Sequence, residues 1–239
     1  MTALLYLIRR NTKLYFKDKG LFFSSLITPL ILLVLYATFL ANVYRDSFVS
    51  ALPEGMQVAD SLIDATVGGQ LISSLLAVSC VTVAFCCNMV LVQDKVNGSR
   101  RDLTVSPVSR STLAAGYYAS AMISTLLVNC IALAASLLYL ANIGWYLTAF
   151  DVLKMLLDVL LLTLLGTALS SVINVFLSTQ GQMSAVGTIV SAGYGFFCGA
   201  YMPISQFGDG LQKVLAFLPG TYGTSLIRNH TLRGVFAEM

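Results

Sequence analysis

Five long apolar runs leave this chain few folds to choose from. They lie at 21–43, 70–92, 113–141, 151–176 and 185–201. An α-helix rises about 1.5 Å per residue, so roughly 20 apolar residues cross the hydrocarbon core of a bilayer. Inside hydrocarbon every backbone polar group needs an internal partner, which leaves helices and closed barrels. Runs of this length read as helices. Only 10% of the residues are charged and 57% are hydrophobic, whereas soluble domains carry about a quarter charged residues. The expected fold is an all-α polytopic membrane helical bundle, one transmembrane domain over 1–239.

The segments around the runs differ in kind. In 1–20, Leu4, Leu5, Leu7, Ile8, Leu14, Tyr15 and Phe16 alternate with Arg9, Arg10, Lys13, Lys17 and Lys19. This pattern fits a helix lying in the interface with its cations toward anionic headgroups. A secretory signal peptide fits poorly: the charged part is long, the next run is of full bilayer length, and no small-residue cleavage site follows. Pro29 is a candidate kink in the first span. The 44–69 stretch sets Arg45 against Asp46, Glu54, Asp60 and Asp64 and is net acidic. Trp145 and Tyr146 suit an interfacial belt. In the fifth span Gly187, Ser191, Gly195 and Gly199 recur every four residues, a ladder that lets two helices approach closely, within the chain or in a dimer. Met202-Pro203 ends that span. The remainder, 202–239, reads as an outer amphipathic segment that does not span, with an apolar stripe of Leu211, Val214, Leu215 and Leu218 broken by Pro219-Gly220.

Basic residues fix the expected orientation. They crowd before the first span and in 93–112, where Lys95, Arg100, Arg101 and Arg110 lie, while 44–69 holds only Arg45. By the positive-inside rule the N terminus and the 93–112 loop face the cytoplasm. Five spans then put the C-terminal segment outside, although its Lys213, Arg228 and Arg233 run against the rule. The 93–112 loop mixes both charge signs with the breakers Gly98 and Pro107, which favours a short helix over a plain solvated turn. A docking face needs rigid shape plus charge to fix register. Arg100, Arg101 and Asp102 are the candidates for that role, with Leu103 as apolar anchor.

The order of these features resembles the permease of type-2 ATP-binding-cassette (ABC-2 type) exporters. The residues that carry the resemblance are the N-terminal interfacial helix, Asp94-Lys95, Gly98-Ser99, Leu103 and Pro107-Val108-Ser109-Arg110. Further along come Gly199, Met202-Pro203-Ile204, Pro219, Tyr222 and Leu226-Ile227-Arg228. Asp94 stands where that family usually has Glu. The resemblance implies that 93–112 is a cytoplasmic coupling loop, with Asp94, Lys95, Arg100, Arg101, Asp102, Leu103 and Pro107 meeting an ATP-binding-cassette ATPase subunit. It also implies a second permease subunit (homodimer or heterodimer), a plasma-membrane location, a re-entrant outer hairpin and a sixth helix. No sixth apolar run is visible, so a truncated permease or a five-span variant is expected.

Catalytic chemistry is not legible. No GxxxxGK[ST] phosphate loop occurs, so ATP and Mg are expected in the partner and no cofactor in this chain. Cys80, Cys86, Cys87, Cys130 and Cys198 all lie in apolar runs and read as small buried hydrophobes. His230 has no Cys or carboxylate at ligand spacing in the sequence. Asp151, Lys154 and Asp158 are spaced to pair along one helix face, and a Lys154–Asp158 pair near the outer boundary is favoured over a substrate or proton role. Asn88, Asn129 and Asn174 read as helix–helix glue more than as pathway lining. Ser79, Thr82 and Tyr194 are candidate pathway residues. The expected function is export of an amphiphile (drug, lipid, glycan or peptide), multidrug export included. The alternatives are a secondary transporter, which would want several midplane ionisable residues or repeated broken helices, and a non-transport membrane or immunity protein. Nothing points to nucleic acid.

Overall fold

The computed structural model describes residues 2–35, 38–39, 41–51, 58–201, 204 and 207–238, and no strand occurs among them. The helices are α1 (Thr2–Lys17), α2 (Lys19–Leu35), α3 (Ala41–Ala51), α4 (Asp60–Cys87), α5 (Met89–Val96), α6 (Ser99–Val105), α7 (Arg110–Ile143), α8 (Ala149–Phe176), α9 (Gln180–Phe197), α10 (Asp209–Leu215) and α11 (Pro219–Ala237). The chain is a helical membrane bundle. Asp60–Val96, Arg110–Ile143 and Ala149–Phe176 are long and apolar enough to cross a membrane, and α1–α2, bent by 74°, adds a fourth if it is one broken span. The helix carrying the fifth expected run, α9, is not among them, for its 18 residues open on Gln180 and Gln182. Glu54 and the Met202-Pro203 step lie outside the described residues.

Two expected loops are largely helical. Much of the 44–69 stretch belongs to α3 and to the first turns of α4. In 93–112, α5 continues to Val96, and only Asn97-Gly98 and the Ser106–Ser109 step interrupt helix. The C-terminal segment differs most from expectation. Of its predicted stripe only Leu215 is buried, while Leu211, Val214 and Leu218 are exposed. The buried helix face is instead in α11, formed by Gly220, Thr221, Gly223, Thr224, Ile227, Thr231, Leu232 and Val235. Pro219 opens α11, where its missing N–H is no loss.

Contacts divide the chain into two compact units, each drawing on all four of the helices α4, α7, α8 and α9. The first comprises Met1–Thr28, Ser79–Asn129 and Leu161–Tyr194. Its core joins Leu7, Tyr15 and Leu21 to Val83, Cys87, Val90 and Leu91 and to Leu113, Tyr117, Ala121 and Val128. On α1 the buried positions Leu7, Asn11 and Tyr15 fall four apart, one stripe of a helix, while Arg9 and Lys13 stay exposed. The Asp18 carboxylate accepts the Leu21 N–H at 3.1 Å and so starts α2. Tyr15 and Ser25 then hydrogen-bond across the bend at 2.6 Å. Glycine sets the closest approach, for a Cβ at Gly166 on α8 would lie 2.7 Å from the Cys80 carbonyl oxygen of α4.

The second unit comprises Pro29–Val78, Cys130–Leu160 and Gly195–Met239. Arg45 on α3 holds Asp60 at 2.5 Å and Asp64 at 2.8 Å on α4. Thr148 and Asp151 form a reciprocal cap at the start of α8: the Asp151 carboxylate accepts the Thr148 N–H, and the Thr148 hydroxyl accepts the Asp151 N–H.

Gly166→Leu is therefore expected to lower stability by at least about 2 kcal/mol through overpacking. At Gly181, where an added Cβ meets nothing, Ala is expected to be neutral or to stabilise by up to about 1 kcal/mol. Thermal unfolding of the detergent-purified variants distinguishes the two.

Candidate functional site

The α5–α6 elbow is the site the sequence singled out, and its turn requires glycine. Gly98 follows α5 at φ +79°, a left-handed position that L side chains avoid. It reverses the chain into α6, a seven-residue helix with no fully buried residue. After α6 the chain extends at Ser106, and the Ser109 hydroxyl accepts the Thr112 N–H at 3.2 Å to start α7.

The predicted coupling residues separate into two groups. Asp94 and Lys95 are not on an exposed loop, because α5 turns them inward. Asp94 is 5% exposed and accepts two hydrogen bonds from Arg10 of α1, at 2.7 and 3.1 Å, and one from the Tyr117 hydroxyl of α7 at 2.5 Å. The bond to Asp94 holds the Arg10 guanidinium above its ordinary pKa. Lys95 donates to the carbonyls of Asn174, Val175 and Leu177 at 2.9, 2.6 and 2.7 Å, where α8 runs out of intrahelical partners. Three helices, α1, α7 and α8, are thus tied to α5. Sequence reasoning named neither Arg10 nor Tyr117 as a partner; a cation and a hydroxyl far along the chain carry no local signal.

Arg101, Asp102 and Pro107 are exposed, and Arg100 is half-buried. Leu103 packs against the unit's own core, so it anchors α6 to the bundle. The exposed apolar residue on α6 is Val105, 84% exposed, which the sequence reading passed over. Arg100 and Arg101 border a groove of about 900 Å³ formed by α5, α6, α7 and α8.

Other candidates are dispersed. Ser79 and Thr82 are buried inside α4, and Tyr194 is partly exposed on α9. The four-residue ladder does not act as one surface within the chain. A Cβ at Gly187 would meet only the Met89 methyl, at 3.9 Å, and Ser191 is half-buried. Gly195 is covered by the Tyr201 ring, and Gly199 ends α9 at φ +67°. Asn88 does act as glue, bonding Ser170 and, at 3.1 Å, Ser171, and Asn129 donates to Thr163 at 3.2 Å. The expected Lys154–Asp158 pair is replaced. Asp158 meets His230 of α11 at 2.5 Å, and Lys154 lies over the Phe150 ring. His230 thus has the carboxylate neighbour that sequence spacing did not reveal.

Fold and site together define a polytopic helical membrane protein. The family model for the ABC-2 type transporter matches residues 2–231, and the chain belongs to that family. It is the membrane subunit of an ABC transporter, and membership implies association with an ATP-binding-cassette subunit. No curated protein and no solved structure matches the chain.

Breaking a buried ion pair by removing one partner costs about 3–5 kcal/mol. The Arg10 side chain is 34% exposed, so Arg10→Met is expected to cost less, about 2 kcal/mol. Adding Asp94→Leu is expected to recover part of that loss. A double-mutant cycle on unfolding midpoints measures the coupling, and strict additivity would contradict the clamp.

Proposed function

We propose that the chain is the transmembrane half of an ATP-driven exporter in the plasma membrane, with its N terminus and α5–α6 elbow in the cytoplasm. Two such subunits, identical or paired with a sister, enclose the path, and two ATPase subunits holding ATP and Mg bind below. The exposed Arg101, Asp102 and Val105 of α6, with the half-buried Arg100 beside them, meet the ATPase, and Pro107 limits the helix. The observation that carries this reading is the anchoring of the elbow. A load on α6 reaches α5 through the short Gly98 turn. Asp94 and Lys95 pass it to α1, α7 and α8 by charge-assisted bonds. ATP-driven closure of the ATPase pair then shifts the spans, provided the permease's two states bind the ATPase's two states unequally.

The cargo class is amphiphilic: a drug, lipid, glycan or peptide. The half-buried stripe of α9 that carries Gly187 and Ser191 is the proposed contact for the second permease subunit. Ser79, Thr82 and Tyr194 stay with the path as proposed lining.

Arg100→Glu with Arg101→Glu is expected to reduce ATPase co-purification at least tenfold while the protein stays folded, an effect of about 1.4 kcal/mol or more. Unchanged recruitment would remove the coupling assignment. In vesicles, transport that survives an uncoupler and stops without ATP supports ATP-driven export, whereas transport that persists without ATP would overturn it.

A further inference from the structure

The groove beside the elbow pairs cations with an apolar wall, and only Arg100 and Arg101 of its lining belong to the proposed ATPase face. Its lining includes Lys95, Arg100, Arg101 and Arg110, and no carboxylate lines it among the described residues. The nearest acids are otherwise placed: Asp94 is engaged by Arg10 and Tyr117, and Asp102 is exposed outside the lining. Lys95 is spent on the α8 carbonyls. None of the three arginines has a salt bridge among the described residues. Arg110 is also the first residue of α7, where a cation meets the positive end of the helix dipole and an anion is favoured. The lining also holds an apolar wall, with Leu91, Leu113, Val172 and Val175. Val172 and Val175 are 61% and 52% exposed, so this wall opens to the surroundings of α8.

We infer that the groove binds an anionic phospholipid, the phosphate held by Arg100, Arg101 and Arg110 and one acyl chain laid along the α7–α8 wall. Basic pockets between membrane helices at the cytoplasmic interface suit anionic headgroups, and a groove of about 900 Å³ admits a headgroup with the upper part of a chain. A free phosphate would use the arginines and leave the apolar wall empty. A zwitterionic lipid would use the wall and leave the arginines unmatched. Bound there, the lipid bridges α6 to the start of α7 and holds the elbow at the bilayer surface. The inference rests on the membrane reading of the chain and not on ATPase docking.

The test is native mass spectrometry of the full chain in detergent, titrated with phosphatidylglycerol, phosphatidylcholine or inorganic phosphate. Phosphatidylglycerol is expected to bind preferentially, and Arg110→Gln to weaken it about fivefold, with Arg110→Lys retaining most of the affinity. Equal binding of the two lipids by the wild-type chain would overturn the site, as would displacement of the lipid by millimolar phosphate. Unchanged binding in a folded Arg100→Gln/Arg110→Gln variant would also overturn it. Arg110→Gln leaves the exposed face of α6 intact, so ATPase recruitment is expected to persist. A chain that recruits no ATPase yet prefers phosphatidylglycerol keeps the lipid site and loses the coupling reading.

Discussion

A carboxylate taken out of water must find a cation and hydrogen-bond donors, and Asp94 imposes that condition on the first unit of this protein. At 5% exposure it is stable only because Arg10 supplies two donors and Tyr117 a third. Those partners come from α1 and α7, so satisfying one charge fixes the docking of the N-terminal helix and the register of α5 against α7. Lys95, the next residue, satisfies the end of α8. Adjacent residues of opposite sign thus serve different neighbours. An elbow held on both sides in this way moves as part of the bundle, which a tethered loop would not do.

Burial in this bundle depends on small and polar residues as much as on large apolar ones. Within the span Asp60–Val96, 89% of the most apolar window is buried, and it carries Ser73, Ser74, Ser79 and Thr82 among its buried positions. A helix surrounded by others cannot be uniformly bulky. Close approach by α8 needs Gly166, and Asn88 and Asn129 bond across to α8 hydroxyls where no water competes.

The sequence made the helices legible because bilayer thickness sets a length that apolar runs either meet or miss. It also showed the elbow, since Gly98 and Pro107 punctuate a charged stretch. What it hid was pairing. Arg10 and Asp94 lie 84 positions apart, and Asp158 and His230 lie 72 apart, so neither pair leaves a local pattern. The spacing rule instead offered Lys154 to Asp158, a neighbour on the same helix, and tertiary contact overrode it. The α11 face was hidden for another reason: five of its eight buried positions are glycine or threonine, and an apolar periodicity does not register them. The four-residue ladder misled in the opposite sense. Its spacing is regular, but Gly195 makes room for a ring and Gly199 supplies a left-handed turn, so one pattern covers unrelated requirements.

The cations of the C-terminal segment, which ran against the charge rule for orientation, become intelligible once their partners are known. Arg228 donates to the Gly199 carbonyl at 2.8 Å, and Arg233 lies 3.8 Å from Asp151. His230 meets Asp158. These side chains serve the attachment of α11 within the second unit, against α8 and the end of α9. The positive-inside bias reflects cations that stay solvated near a membrane surface. A cation absorbed by a carboxylate or a helix-end carbonyl is poor evidence of which side it faces. Of the three offending residues, Lys213 and Arg233 lie exposed and Arg228 is half-buried. The cations before the first span are mostly exposed, Arg9, Lys13, Lys17 and Lys19 among them. Weighed by solvation in place of simple number, four exposed cations before the first span stand against two in the C-terminal segment, so the charge asymmetry between the two ends persists.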